Sequence, residues 1–372
     1  MRSNTVQRLI AFAVSIAMLT GLAACGNNAA VDDGTIAAPA VADLSGSFAG
    51  AGASSQQAAV EAWISGFQRN NGDTTISYNP SGSGAGVITF LTGATAWAGS
   101  DKPLSDSEVQ ESKSVCADGT TAFDVPVYIA PIAIAYRLDG FEDQHINMSP
   151  QTIAKVFDGK ITQWNDAEIA AENPNLQLPD TPITVVHRSD KSGTTLNFVK
   201  YLYAAANDAW PYDPSENWPN DVGQGAKGTS GVVSTIDQAN GTIGYADYSQ
   251  AASMGTIAVK VGDTYTQISA EAGSKAIADS SVEKTSGDNR VVVDVNYTTQ
   301  SEGAYPIVLL SYNIVCPVYK NAMTSKFAKA WMSYVTSEDG QETAQQATGS
   351  SPLPTELSTR IKQSVDAMSD GQ

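Results

Sequence analysis

The residues best suited to chemistry in this chain lie between a predicted strand and a predicted helix, at residues 187–195. This segment, HRSDKSGTT, combines a guanidinium (Arg188), a carboxylate (Asp190), hydroxyl groups and a glycine. A helix N-terminus offers free backbone N–H groups and a partial positive charge, and an arginine adds a planar fork of donors. The segment therefore predicts a site for a small oxyanion. On this stretch alone, the alternative is an ordinary capped helix with a surface Arg–Asp pair.

Two further turns in the chain have the same composition. Residues 50–55 (GAGASS) precede a helical pattern with i, i+3, i+4, i+7 apolar spacing, where Ser54 or Ser55 is the expected N-cap. Residues 81–86 (SGSGAG) follow a short predicted strand and lead into another apolar helical pattern, with Ser83 in the turn. Glycine lets the backbone come close to a ligand, and hydroxyl groups supply hydrogen-bond donors. Three such turns and one arginine predict a cage for a small oxyanion.

The first 24 residues are typical of a lipoprotein signal peptide. Arg2 and Arg8 form a basic segment, and the apolar run over 9–22 has signal-peptide length but is short for a membrane span. The run ends in LAACG at 22–26, a lipobox pattern, so we expect Cys25 to be lipidated and to anchor an extracytoplasmic protein to the membrane. A plain secretory signal with an incidental cysteine is the alternative. Residues 25–45 lack periodicity and are predicted to form a flexible tether.

The overall charge excludes some classes of partner. The formal net charge is −18, and removal of residues 1–24 takes away two arginines and no acidic residue, which leaves −20. Such a surface argues against nucleic acid and against anionic lipid as partners. An anion site in this chain must therefore work through local donors. The mature length also exceeds one ordinary core and predicts two domains.

Besides Cys25, the chain has two cysteines, Cys116 and Cys316. A single pair in an exported protein favours a disulfide, because extracytoplasmic compartments are oxidising. Two buried free thiols are the alternative.

Strand and helix patterns alternate along the chain, which indicates an α/β protein. The apolar run over 125–138 predicts one long strand that crosses into a second domain. Asp101 follows a short predicted strand, and functional side chains of α/β sheets gather at the carboxyl ends of strands. A turn aspartate before Lys102 and Pro103 is the alternative role of this residue.

With these motifs in view, the chain resembles the PstS family, the phosphate-binding lipoproteins of high-affinity phosphate ABC transporters. The resemblance extends over about residues 48–353. The motifs that carry it are AGAGAS (49–54), GSGAG (82–86), GSDKPLSD (99–106), FDGKITQW (157–164), HRSDKSGT (187–194) and GTIGY (241–245).

The resemblance implies a two-lobed, type II periplasmic-binding-protein fold with a hinge and a ligand cleft between the lobes. Residues 46–127 and 304–372 would form lobe I, and residues 128–303 would form lobe II. The protein would be a monomeric solute-binding protein that captures inorganic phosphate, closes around it and delivers it to the membrane permease of an ABC transporter. No cofactor, metal or nucleic acid is implied.

The resemblance also implies a role for each site residue. Asp190 would orient Arg188, and Asp101 would distinguish anions, because a phosphate that keeps a proton can donate it to an ionised carboxylate whereas sulfate cannot. The implied donors to phosphate are Ser54, Ser55, Ser83, Arg188, Ser192, Gly193 and Thr194.

Two positions depart from the family pattern. Ser55 stands where an aromatic or bulky residue is common, and Lys191 replaces a common glycine in the third turn. Lys191 adds a positive charge near the expected mouth of the site and could alter ligand escape. Neither change removes a side-chain donor of the cage.

Other functions have weaker support in the sequence. A hydrolase or phosphotransferase would need an activated serine, but the chain has only His145 and His187, no G-x-S-x-G elbow at the cage serines, and no metal-ligand spacing. The sequence also lacks a P-loop, so ATP hydrolysis is not expected. A scaffold or adhesin that merely keeps the fold is another alternative. A binding protein for sulfate, molybdate or another tetrahedral anion is the nearer one, and Asp101 argues against it.

Overall fold

The computed structural model describes residues 35–285, 287–351 and 353–370. The predicted signal peptide and Cys25 lie outside the described residues. The predicted flexible tether does not extend to residues 35–45, because Ala38 and Leu44 are buried there and the Ala38 N–H donates to Gly66 O at 3.0 Å. This segment is held by backbone and side-chain hydrogen bonds, including one from Val41 N to Asn71 Oδ1.

Strands and helices alternate through most of the described chain, which agrees with the α/β class expected from the sequence. The strands are β1 (Gly46–Gly52), β2 (Thr74–Asn79), β3 (Trp97–Ser100), β4 (Phe123–Arg137), β5 (His145–Met148), β6 (Thr184–Arg188), β7 (Gln224–Ala226), β8 (Thr242–Asp247), β9 (Gly255–Val261), β10 (Thr264–Thr266), β11 (Ser281–Val282), β12 (Val293–Asp294) and β13 (Val308–Val315). The helices are α1 (Gln57–Asn70), α2 (Ser83–Leu91), α3 (Asp106–Glu111), α4 (Pro150–Phe157), α5 (Ala167–Glu172), α6 (Gly193–Ala205), α7 (Gly228–Asp237), α8 (Tyr248–Ala251), α9 (Ala270–Ala278), α10 (Ala322–Val335), α11 (Glu338–Thr348) and α12 (Thr355–Asp366). Within the described ranges, none of these helices combines the length and apolar character that crossing a bilayer would require.

One long strand, β4, belongs to the sheets of both lobes. Its first part, residues 123–131, pairs antiparallel with β13, and its last part, residues 132–137, pairs antiparallel with β8. The strand order is β2-β1-β3-β13-β4-β8-β6-β7, and β9 joins β4 to β5 and β10. All residues of β4 except the last are buried, which explains the apolar run that follows Asp124 in this strand. The crossing strand predicted over 125–138 is therefore present.

Parallel pairing places the carboxyl ends of several strands side by side at one edge of the sheet. In lobe I, β1 runs parallel to both β2 and β3, and in lobe II, β6 runs parallel to β7 and β8. Ligand crevices of open α/β sheets lie outside the carboxyl ends of such strands. The turns that follow β1, β2, β3 and β6 carry the candidate residues of the sequence.

The lobe I sheet is held against helices α1 and α10 by an aromatic cluster. Trp97 of β3 lies 5.2 Å from Trp331 and 5.8 Å from Phe327 of α10, measured between ring centroids. Phe67 of α1 completes the cluster at 5.7 Å from Trp331. All four side chains are almost fully buried, and this rigid packing fixes the strands that lead into the site.

Cys116 and Cys316 form a disulfide, which confirms that expectation from the sequence. Both residues are buried, and their Cα atoms lie 5.3 Å apart across a sequence separation of 200 residues. The bond joins the segment before β4 to the end of β13. The free-thiol alternative is thereby excluded.

Removal of this disulfide should lower stability without changing the fold. The double change Cys116→Ala and Cys316→Ala should reduce the free energy of unfolding by about 2–4 kcal/mol, since the unfolded chain loses a long cross-link. Urea denaturation followed by tryptophan fluorescence measures the change. Reductant should lower the midpoint of the unaltered protein and leave that of the variant unchanged. Equal midpoints for the variant and for the unaltered protein without reductant would contradict the prediction.

Candidate anion-binding site

The three Ser/Thr/Gly turns predicted from the sequence meet in the structure. Ser54, Ser83, Asp101, Arg188 and Thr194 are each less than 5% exposed. They lie at the carboxyl ends of β1, β2, β3 and β6, and hydrogen bonds and close backbone approaches join the turns that carry them. The residues that the sequence predicted for the site therefore lie close together in the structure.

The first turn, between β1 and α1, uses its hydroxyl groups for tertiary contacts. Ser55 Oγ donates to Asp101 Oδ1 at 2.6 Å, while Ser54 Oγ accepts from the Thr229 N–H at 3.1 Å. The expectation that Ser54 or Ser55 caps α1 is wrong, because the N-cap is Gln56 and no side chain caps the helix. Both hydroxyls are engaged elsewhere, so the first N–H groups of α1 receive no side-chain cap.

The second turn, between β2 and α2, depends on glycine for its close approach to lobe II. Gly82 has φ +96°, and a Cβ atom there would lie 2.6 Å from Asp190 Oδ2. A side chain at Gly82 is therefore excluded on both backbone and steric grounds. Helix α2 also begins without a side-chain cap. Ser83, its first residue, accepts the Asp101 N–H through Oγ at 3.1 Å.

The third turn carries the cation of the site, as the sequence predicts. Arg188 Nε and Nη2 donate to the two carboxylate oxygens of Asp190 at 2.8 and 2.5 Å. Burial raises the pKa of Asp190, but the hydrogen bonds and charge of Arg188, with the Gly228 N–H, outweigh burial and lower it overall. Asp190 is thus held ionised and orients a guanidinium that keeps three further N–H donors.

The start of α6 supplies polar groups from the same turn. Ser192 is the N-cap, and its Oγ accepts from the Thr195 N–H at 3.1 Å. Thr194 Oγ1 donates to Asp101 Oδ2 at 3.1 Å, across the two lobes. Gly193 lies so close to lobe I that a Cβ atom there would be 2.6 Å from the Asp101 Cβ. This helix N-terminus therefore abuts the site directly.

Asp101 lies at the centre of this arrangement, and three hydroxyl groups donate hydrogen bonds to its carboxylate. Its Oδ1 accepts from Ser55 and from Ser311, each at 2.6 Å, and its Oδ2 accepts from Thr194. Burial raises the pKa of Asp101 overall, while these three hydrogen bonds and the charge of Arg188 lower it and so limit the rise. Burial thus removes water from the carboxylate, and hydrogen-bond donors of the protein take the place of that water.

Sequence reasoning missed four residues of the site: Gln56, Asn197, Thr229 and Ser311. Asn197 Nδ2 donates to Asp101 O at 2.7 Å, and Ser54 Oγ and Thr229 Oγ1 lie 3.0 Å apart, so both pairs join the lobes. Ser311 comes from β13, more than 200 residues after Asp101 in the chain. None of these residues stands in a recognisable motif. The Gly-rich pattern over 223–231 was the available signal for Thr229.

Comparison with known proteins agrees with this architecture. The family model of the PBP superfamily domain matches residues 37–339. The phosphate-binding protein PstS 2 of Mycobacterium tuberculosis is 38% identical over 324 residues, which cover 86% of each chain. This chain belongs to the PstS family. The motifs named above lie in this matched part of the chain.

Solved structures support the PstS fold. The chain is similar to PfluDING, described as a high-affinity periplasmic phosphate-binding protein bound with phosphate, with a TM-score of 0.68 and 21% identity over 86% of this chain and 93% of that one. A putative phosphate ABC transporter substrate-binding protein from Clostridium perfringens gives a TM-score of 0.57 at 19% identity, over 81% and 98% of the two chains. The mixed α/β, two-lobed fold is therefore the fold of this chain.

The two histidines of this PstS-family chain lie apart from the cage serines. His145 Nδ1 is hydrogen-bonded to Thr256 Oγ1, and His187 Nδ1 lies 2.9 Å from Arg188 O. The His187 ring stacks on Trp218, with 5.1 Å between the ring centroids. Burial lowers the pKa of His187. Over the described ranges, no group of three or more His, Cys, Asp or Glu residues could hold a metal ion.

A second buried carboxylate, Asp247, lies at the end of β8. Its Oδ1 accepts from Tyr128 and Ser249, whereas its Oδ2 is buried without a hydrogen-bond partner. Burial raises the pKa of Asp247 to about 7, and the charge of Asp101 contributes to the rise. Asp247 therefore titrates near neutral pH, unlike an exposed aspartate.

Asp247 should make stability depend on pH. Its pKa is 3.8 in an unperturbed state and about 7 when folded, so the unfolded state ionises first and stability is lost as pH rises between these values. Asp247→Asn keeps the Oδ1 acceptor and removes the charge. Its free energy of unfolding relative to the unaltered protein should therefore increase from pH 3.8 to about 7 and then level off. Urea denaturation across this range measures it, with the exposed Asp263→Asn as control; a difference that stays constant with pH would contradict the prediction.

Proposed function

We propose that this chain is an extracytoplasmic solute-binding protein that captures inorganic phosphate between its lobes and delivers it to the permease of an ABC transporter. The observation that carries the proposal is the meeting of one buried arginine, two uncapped helix starts, one Ser192-capped helix start and one hydrogen-bonded carboxylate. The relatives named as phosphate-binding proteins support it. The phosphate would lie between these groups.

Each group has a role in this proposal. Arg188, oriented by Asp190, would give the charge-assisted contact through its remaining N–H groups. The starts of α1, α2 and α6 would direct backbone N–H groups at the anion oxygens. Hydroxyl donors would come from Ser54, Ser83 and Ser192. Ser55, Gly193 and Thr194 would supply backbone N–H groups, because the hydroxyl protons of Ser55 and Thr194 are donated to Asp101.

Asp101 would make the site selective for an anion that carries a proton. A carboxylate next to an anion is repulsive unless it accepts a hydrogen bond from that anion. Phosphate keeps a proton at neutral pH and can donate it, whereas sulfate is fully ionised and would leave the buried carboxylate facing a second negative charge. Sulfate or molybdate binding is therefore the rival that Asp101 argues against.

The lobe boundaries and cellular location remain part of the proposal. Lobe I would comprise residues 46–127 and 304–372, and lobe II residues 128–303. The change of pairing partner within β4, from β13 to β8, supports a hinge in this region. A lipid on Cys25 would tether a monomeric receptor outside the cell membrane, with the permease as its protein partner.

Catalysis is not part of the proposed function. The relatives are named as binding proteins, and a serine nucleophile needs a base that activates it. The imidazole groups of His145 and His187 contact Thr256 and Arg188 O instead of a cage serine. Phosphate transfer to a cage serine would require a different arrangement.

Loss of Arg188 should abolish tight phosphate binding. Calorimetric titration with phosphate, after unfolding and refolding to strip bound anion, should give one-to-one binding for the unaltered protein. Arg188→Ala should bind at least about 100-fold more weakly, because it removes a desolvated, bidentate cation. Arg188→Lys should also bind weakly, since a lysine cannot reproduce the fork that Asp190 orients.

Arg137→Ala is the matched control for this experiment, since the partly exposed Arg137 makes its ion pairs with exposed aspartates. It should bind phosphate like the unaltered protein. Normal binding by Arg188→Ala would mean that the site is misplaced, and absence of phosphate binding in the unaltered protein would refute the proposed function.

Asp101→Asn should reduce the preference for phosphate over sulfate. The asparagine Oδ1 can still accept from Ser55 and Ser311, which leaves Nδ2 to donate to an anion oxygen. Sulfate affinity should rise, and the ratio of phosphate to sulfate affinity should fall at least about 10-fold. Parallel titrations with the two anions at neutral pH measure this ratio. An unchanged ratio would show that Asp101 does not select the anion.

A further inference from the structure

A directed chain of hydrogen bonds reaches Asp101 from behind the cage. Gln56 Nε2 donates to Ser311 Oγ at 2.6 Å, and Ser311 Oγ donates to Asp101 Oδ1 at 2.6 Å. Gln56 and Ser311 are both fully buried. Gln56 follows the first cage turn, whereas Ser311 lies on β13, so the two residues approach the carboxylate from different parts of lobe I.

The direction of this chain is fixed by the chemistry of its members. Gln56 Nε2 also faces the Tyr312 carbonyl oxygen at 3.5 Å, and a carbonyl oxygen can only accept. The amide nitrogen therefore points at Ser311 and donates to it. The single hydroxyl proton of Ser311 is then directed at Asp101, because the side of its oxygen that faces Gln56 is occupied as an acceptor.

This direction determines which oxygen of Asp101 remains available. A carboxylate has about four acceptor positions. Two donors, Ser55 and Ser311, fill those of Oδ1, whereas Thr194 fills one of those on Oδ2. One acceptor position remains, and it belongs to Oδ2.

We propose that Ser311, oriented by Gln56, is a positioning residue for anion selectivity: it keeps Asp101 ionised and leaves Oδ2 as the acceptor for the proton of a bound phosphate. This inference rests on the proposed function and adds to it the residue that holds the selective group in the required state. Without Ser311, Asp101 would lose one of the three hydroxyl donors that favour its ionised form, and it would take up a proton more readily.

Other charged and titratable groups also face Asp101 and are unchanged by substitution of Ser311. The guanidinium of Arg188 lowers the pKa of Asp101, the Tyr78 phenol interacts with its charge, and Asp247 is a second carboxylate in its field. The hydrogen bond from Ser311 lowers the pKa of Asp101, so its loss raises that pKa. A comparison of the binding profiles of the variants over the same series of pH values therefore isolates the contribution of Ser311.

The test is a titration of the full chain with phosphate and with sulfate, over about pH 5 to 9. In Ser311→Ala, the pH below which phosphate binding weakens should move upward, because a protonated Asp101 cannot accept from phosphate. Sulfate binding should strengthen over the same range, since a protonated Asp101 can donate to it. At about pH 6 the phosphate-to-sulfate affinity ratio should fall at least about 10-fold, and near pH 9 it should change little.

Three further variants define the outcome. Ser311→Thr keeps the hydroxyl and should restore the original pH profile. Gln56→Met removes the donor that directs Ser311 and should shift the profile in the same direction by a smaller amount. Ser364→Ala removes a buried hydroxyl that donates to Arg360 O on α12, and its profile should match that of the unaltered protein.

Opposite pH responses for the two anions in Ser311→Ala, with rescue by threonine, would support the inference. Phosphate-selective binding in the unaltered protein with an unshifted profile in Ser311→Ala and Gln56→Met would overturn it and leave the proposed function intact. If Ser311→Ala does not fold, the profile of Gln56→Met decides alone. An unaltered protein that binds no phosphate would refute the proposed function, and this inference with it.

Discussion

The arrangement of the site depends on how the protein solvates one buried carboxylate, Asp101. A desolvated carboxylate without donors would take up a proton or destabilise the fold. The protein supplies hydroxyl donors from three elements, the turn after β1, the strand β13 and the helix α6, while Arg188 contributes favourable charge. Of these hydrogen bonds, those from Ser55 and Ser311 come from residues of the proposed lobe I, whereas the one from Thr194 joins Asp101 to the start of α6 in the proposed lobe II.

This constraint explains why the hydroxyl groups of the first turn do not cap their own helix. Ser54 and Ser55 contact Thr229 and Asp101 instead, so α1 begins at a turn whose N–H groups no side chain covers. A helix start of this kind costs local stability, since a capping residue is typically worth about 1 kcal/mol. The same arrangement leaves backbone donors for an anion, which is consistent with a site that gives up local stability for binding.

Local sequence patterns predicted the α/β class, the long crossing strand β4, the disulfide and the residues that converge at the site. These predictions worked because Gly-rich turns, apolar strands and paired cysteines report on local requirements. Patterns could not predict Gln56, Asn197 or Ser311, since each acts through a contact with a residue 96 to 255 positions distant in the chain. The helix cap at Ser54 or Ser55 was wrongly predicted for the same reason, because tertiary partners took up those hydroxyls.

The Cys116–Cys316 bond has a topological consequence for the whole molecule. With the proposed boundaries, the chain leaves lobe I and returns to it between these two residues, so residues 128–303 of lobe II would lie entirely within a covalently closed ring. A protease that cuts one exposed loop in this ring opens it without separating the molecule into two pieces. The cut ends stay attached to lobe I, and the severed strands can keep their places in the sheet. A receptor built in this way tolerates a single nick in its inserted lobe.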